Sequence, residues 1–289
     1  MAANLPLSVI TLLASKMMRD HHQNWHLVRR PDMLATLSAL ERKQLADAGW
    51  VAPRPIKAQG SGVDFLAMHR DMISQVNKAL AAAADPAYSS VKGWVAIPED
   101  PMDADWPVPP TWPGADSSFA AAKTPKSLTA NLKNAKDQFA NGAWLKTQTI
   151  DEVGIAIENS IHNWFHQRWS AEPWFGGYKG VPDPAQSEDD PRNDFLGSTY
   201  SSQVNETFWK LHGWIDDRIT QWEMATGKKA DLSKAWLGPM HMHPMAPMAA
   251  MTAPAGVAVP TGATRPTVQI RDLWKRIPPH LFFTNPATK

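Results

Sequence analysis

Six histidines fall into two copies of one pattern. His22 and His26 are four residues apart, and a single histidine, His69, follows downstream. His162 and His166 repeat the spacing, and His212 follows at almost the same distance. Residues at i and i+4 leave one face of a helix, so each H-x-x-x-H pair can grip one ion. A third imidazole from a neighbouring helix would complete a triad. A single H-x-x-x-H is often a surface accident, and a lone helical histidine is usually a hydrogen-bonded core residue. Two copies of the whole constellation argue against coincidence.

Ligand type narrows the metal. The chain has no cysteine, which excludes thiolate zinc and iron–sulfur sites as well as disulfides. Di-iron bundles use glutamates with two Glu-x-x-His motifs, and hydrolytic zinc favours H-E-x-x-H or a carboxylate ligand. Neither pattern occurs here. Imidazole suits copper and zinc, and two facing all-histidine triads favour a pair of copper ions. Two separate three-histidine zinc sites are the weaker alternative.

The elements that must position these ligands read as helices. One helix is expected over 6–29 after Pro6, with Val9, Leu12, Leu13 and Met17 apolar. A second covers 33–48 before Gly49, and a third covers 63–84, closed by Asp85-Pro86. From 94 to 115 the density of proline and tryptophan forbids a regular element and predicts a long packed loop. Thr124-Pro125 opens a helix to about residue 140, stopped by Gly142. Thr149 and Glu152 have capping-box spacing for a helix running through Trp169. Residues 176–199 read as loop and 202–225 as a last strong helix. The fold class is mainly α, a four-helix bundle core carrying the binuclear site, with long Pro/Trp-rich loops.

In domain terms, 1–238 is expected to be the helical metal domain. Residues 239–266 form a Met/His/Pro-rich linker, and 267–289 a tail that packs on the core or at the site entrance. His241 and His243, with the surrounding methionines, could capture Cu(I), but a low-complexity linker is the plainer reading. His21 and His280 have no partner by spacing and are read as structural. A net charge of +1 over 289 residues gives no reason to expect nucleic acid or an anionic membrane as partner. No apolar run is long enough to span a bilayer. The apolar N-terminal stretch lacks preceding basic residues and reads as helix rather than signal peptide. That points to a cytoplasmic protein, with export by another route left open. A homo-oligomer is compatible with the sequence.

The segments around the histidines resemble a known family. HHQNWHLV (21–28) is similar to the H-H-W-H-W-H-L-V segment of arthropod hemocyanins and prophenoloxidases. DFLAMHRDMI (64–73) resembles the helix that carries the third ligand of their first copper. ENSIHNWFH (158–166) resembles the H-x-x-x-H of the second copper site, and FWKLHGWIDDRI (208–219) resembles F-Y-R-W-H-x-F-I-D. The likeness is to the core of type 3 copper proteins and not to the N-terminal and immunoglobulin-like domains that hemocyanins add. It implies His22, His26 and His69 on one copper and His162, His166 and His212 on the other. Tyrosinases usually have a histidine nine residues before the third ligand of the first site, where Gly60 stands here. The hemocyanin arrangement through His22 and His26 replaces it. The cysteine thioether many tyrosinases carry is absent.

The resemblance further implies that Glu158 and Asn163 hold a water that helps deprotonate a phenol. Glu158, four residues before His162, would share its helical stripe, and Glu152 is the fallback. Asp216, four after His212, would orient a ligand ring through its free N–H, and Phe208 would pack. The activity implied is that of a tyrosinase or catechol oxidase. Such an enzyme uses O2 to hydroxylate phenols or to oxidise catechols or o-aminophenols to quinones. The alternative is hemocyanin-like O2 binding or copper holding without turnover. A short chain without shielding domains favours the enzyme.

Overall fold

A computed structural model describes residues 5–173 and 189–239. The linker, the tail, His241, His243, His280 and part of the 176–199 loop lie outside these residues. Among the described residues the regular elements are all helical, with no strand.

The first expected helix is two. Helix α1 (Leu7–Leu13) follows Pro6, and α2 (Lys16–Val28) begins after Ser15, which is extended at φ −59°, ψ 144°. The break gives the carbonyls at the end of α1 side-chain partners. Ala14 O accepts from Arg19 Nε at 2.8 Å, and Leu13 O accepts from Gln203 Nε2 at 3.4 Å. Terminal helix carbonyls lack partners within the helix, so buried side-chain donors satisfy them here. The second expected helix also divides, into α3 (Pro31–Leu34) and α4 (Ala39–Asp47). Ser38 and Glu41 form a capping box at the start of α4.

Helix α5 (Ser61–Ala83) carries His69. Its first turn is capped from outside: the Asp151 carboxylate accepts from the N–H groups of Gly60, Gly62 and Val63 at 2.7, 2.9 and 3.1 Å. Residues 94–115 form no helix, as expected, and pack through Trp94, which is buried, and Trp106, whose carbonyl accepts from Trp169 Nε1. Beyond this loop lie α6 (Ser117–Ala122), α7 (Pro125–Asn134), a π-turn over Ala135–Phe139 and α8 (Gly142–Thr147). Gly142 therefore opens a helix instead of only stopping one, because Asn141 caps it by accepting from Ala143 N and Trp144 N.

The helix expected over 149–169 is also two, α9 (Ile150–Glu158) and α10 (Ile161–Arg168). Ser160 leaves helical space at φ −136°, ψ −93°. Asn159 Nδ2 and Ser160 Oγ turn back to the carbonyls of Ile155 and Ala156 at 2.9 and 2.6 Å. Such local side-chain bonds compete with helix continuation. The long helix α11 (Glu206–Thr226) is capped by Asn205 and closed by left-handed Gly227.

Helices α5 and α9 pack most extensively, and α11 lies against both α5 and α8. Two glycine pairs allow backbone contact. A Cβ on Gly154 would sit 2.3 Å from Gly62 O, and one on Gly213 would sit 2.4 Å from Gly93 N. The apolar core, including Phe65, Val76, Val153, Ile157, Phe165, Phe208 and Trp209, surrounds the histidines.

Candidate metal centre

All six histidines of the repeated pattern point into one buried space, from α2 (His22, His26), α5 (His69), α10 (His162, His166) and α11 (His212). In the first triad the ring centroids lie 4.8 Å (His22–His26), 5.8 Å (His22–His69) and 5.5 Å (His26–His69) apart. In the second they lie 4.6 Å (His162–His166), 5.2 Å (His162–His212) and 5.4 Å (His166–His212) apart. The triads face one another: His69 stacks on His212 at 4.3 Å, and His26 on His162 at 6.1 Å.

Among the described residues, two groups of three side chains bring candidate ligand nitrogens within 4.8 Å of one another. They are His22/His26/His69 and His69/His162/His212, with no carboxylate in either. The second grouping includes His69 in place of His166, because the His69 and His212 rings stack across the gap. His166 remains beside both other members of its own triad.

Hydrogen bonds aim the rings. His69 Nδ1 meets the Phe65 carbonyl and His212 Nδ1 the Phe208 carbonyl, both at 2.9 Å. His166 Nδ1 meets Leu196 O at 2.8 Å, His22 Nδ1 meets Gln203 Oε1 at 3.2 Å, and His162 Nδ1 meets Asn163 Oδ1 at 3.4 Å. A carbonyl oxygen only accepts, so the Nδ1 atoms of His22, His69, His166 and His212 carry the proton and their Nε2 atoms present a lone pair. The Nε2 atoms of His22, His26, His69 and His212 are buried without a hydrogen-bond partner. Orphaned nitrogens of this kind, converging from three helices, are what a metal site requires. Burial is the main force holding the imidazoles neutral. It lowers His22 to about 4 and the other five well below their ordinary value. Neutral imidazole is the ligating form.

Phenylalanines close the space. Phe208 stacks on His212 at 3.8 Å and meets His22 edge-on, while Phe65 packs against His69 and His162 at 4.6 and 4.9 Å. Both lone histidines thus sit in Phe-x-x-x-His, where the phenylalanine supplies a ring contact and a carbonyl acceptor. That repeat is visible in the sequence, and it identifies the acceptor for which spacing alone suggested Asp216. Asp216 does not reach His212; it pairs with Arg70 Nε at 2.7 Å on the half-exposed side of α11.

Glu158 is buried at the end of α9, just before the break at Ser160. Both its oxygens bind Arg29, at 2.5 and 2.9 Å, and Arg29 also donates to Ser61 O. Burial pushes the Glu158 carboxyl up, and the guanidinium pulls it back. Glu158 and Asn163 do meet in a small cleft beside the histidines, lined also by His26, Arg29, Arg30, Ile56 and His162. Glu152 is exposed and tied to Thr149 at the start of α9, away from the cleft. Arg29 and Gln203 escaped sequence reading. Arg29 follows His26 by one turn of α2, which is the only hint of its position; Gln203 has none.

No helix among the described residues is long and apolar enough to cross a membrane. No protein-family model matches the chain, and no curated protein is significantly similar to it.

Proposed function

We propose that this chain is a type 3 copper oxidase or monooxygenase. One copper would be held by His22, His26 and His69 and a second by His162, His166 and His212, with α2, α5, α10 and α11 as the four-helix core. The observation that carries this reading is the convergence of six buried imidazoles with no carboxylate among them: His22/His26/His69 and His69/His162/His212 bring their nitrogens together, and His166 stands beside His162 and His212. Such a donor set fits copper better than iron or a hydrolytic zinc. Bound copper would supply dioxygen binding and electron transfer to and from a phenolic substrate.

The chain's own residues do the rest. The Nδ1 bonds fix the rings, and Phe65 and Phe208 keep bulk water from the histidines. The cleft beside His26 and His162, with Ile56 as an apolar wall, has room for a water molecule, and a small aromatic substrate would have to widen it to reach the histidines. Asn163 and Glu158 stand in that cleft where the proton of a phenol hydroxyl would be received. The Glu158 carboxylate, held by Arg29, accepts it more readily through an intervening water than by leaving its partner. Substrates are then phenols, catechols or o-aminophenols.

The test is metal analysis of purified, copper-reconstituted protein, together with oxygen uptake in the presence of catechol. Close to two copper ions per chain and catechol-dependent uptake are expected, with His22→Ala losing mainly one ion. A single copper unaffected by His22→Ala removes the first site. Two copper ions with reversible O2 binding and no turnover of any phenol, catechol or aminophenol make the chain a carrier.

A further inference from the structure

We propose that Gln203 is a positioning residue for the first metal site, fixing the His22 ring with its proton on Nδ1 so that Nε2 faces the metal. The inference rests on the reading that His22 is a ligand. His69, His166 and His212 are oriented by backbone carbonyls, which no substitution removes. His22 instead meets a side-chain amide, brought from 3₁₀ turn Ser202–Val204 ahead of α11.

The amide cannot turn over. Gln203 Nε2 donates to Tyr200 O at 3.1 Å and to Leu13 O at 3.4 Å, so its oxygen is the atom left facing His22. The Tyr200 carbonyl is itself anchored. Buried Arg19 donates to Tyr200 O at 3.3 Å and also to Ala14 O, Asn193 O and Asp190 O. Gln203 is fully buried, so no water substitutes freely for the amide. The Thr199 carbonyl also helps hold the proton on the His22 ring, and the decisive variant must show whether it suffices alone.

The same segment holds His166 through Leu196 O. Residues 193–204 thus orient one histidine of each triad, His166 through a backbone carbonyl and His22 through the Gln203 side chain. Partners behind a ligand histidine typically change metal affinity about 10–100-fold when removed.

Two variants separate positioning from packing. Gln203→Met keeps the shape and removes both donor and acceptor; Gln203→Glu restores the acceptor toward His22 but not the donors toward Leu13 and Tyr200. Metal-free protein is titrated with Cu(II) against a competing chelator, the imidazole N–H resonances are recorded by NMR, and thermal unfolding is followed for each variant. The expected result is a slowly exchanging His22 Nδ1–H in the metal-free wild type, lost in Gln203→Met. First-site affinity should fall about 10–100-fold in Gln203→Met and return toward wild type in Gln203→Glu. A purely structural amide would make Gln203→Glu as damaging as Gln203→Met or worse. That outcome, or persistence of the resonance and affinity in Gln203→Met through Thr199 alone, overturns the proposal. If wild type binds no copper while the resonance behaves as expected, the copper reading fails and the orientation of His22 by Gln203 stands.

Discussion

Replacing Arg29 by methionine should destabilise the protein more than replacing Glu158 by glutamine. Arg29 and Glu158 are 1% and 3% exposed, and both carboxylate oxygens lie on the guanidinium. Arg29→Met strands a carboxylate among the histidines and Ile56, with only Arg30 and the narrow cleft beside it to offset the lost partner. Breaking a buried pair from one side costs about 3–5 kcal/mol. For a domain of this size, 1 kcal/mol shifts the midpoint by roughly 2–4 °C, so the expected fall is about 6–20 °C. Glu158→Gln keeps an amide oxygen for Arg29, which retains Ser61 O and its place 4.0 Å over the Trp25 ring. Its cost should be nearer that of one charge-assisted hydrogen bond, about 1.5–3 kcal/mol. The double variant Arg29→Met/Glu158→Leu removes both charges and should be more stable than Arg29→Met alone, because a buried pair replaced by apolar residues is often neutral. Urea unfolding of wild type, Arg29→Met, Glu158→Leu and the double variant, followed by tryptophan fluorescence, closes the cycle and gives the coupling energy. Additive effects, or a loss under about 1 kcal/mol for Arg29→Met, would show that water reaches the pair and that the carboxylate is free for other work. The same Glu158→Gln protein reports on catalysis. If Glu158 takes the phenol proton, monophenol hydroxylation should drop about 10²–10⁴-fold while copper content and catechol oxidation hold.

Gly213→Ala places a methyl 2.4 Å from Gly93 N, next in sequence to His212. It should cost about 1–3 kcal/mol by overpacking and lower copper content at the second site, both measurable by unfolding and metal analysis. Asp216→Asn should do neither: the half-exposed pair with Arg70 is worth at most about 1 kcal/mol. A loss of copper in Asp216→Asn would reinstate Asp216 behind a ligand. The metal-free protein should weaken in mild acid. Burial lowers the folded-state values of the six histidines, to about 4 for His22, while the unfolded chain takes protons near 6.5. The unfolded state therefore binds more protons, and stability present above about pH 6.5 is lost as pH falls toward 4 and below. A urea midpoint unchanged between pH 7 and pH 5 would mean that the rings are not buried neutral.

What was legible in the sequence depended on the range of the interaction involved. The four-residue spacing of His22/His26 and His162/His166 is a local property of a helix, so it survived folding, as did the capping box at Thr149, while the equivalent box at Ser38 divides a stretch expected to be one helix. The breaks at Ser15 and Ser160 left little trace, because serine is tolerated in helices. Each break is decided by what its neighbouring carbonyls find: Arg19 and Gln203 at the first, Asn159 and Ser160 themselves at the second. Glu158, which ends α9 just before the second break, is not the free carboxylate that spacing suggested: it is paired with Arg29, the residue that caps α2 129 residues earlier. Asp216 misled for the opposite reason. A carboxylate one turn from a histidine is a plausible partner by spacing, yet the Phe208 carbonyl is one turn away in the other direction and already faces the ring. The backbone offers that acceptor at every helical position, so sequence type alone cannot reveal when it is used. The second Phe-x-x-x-His could, since Phe65 and Phe208 stand in the same relation to the two lone histidines.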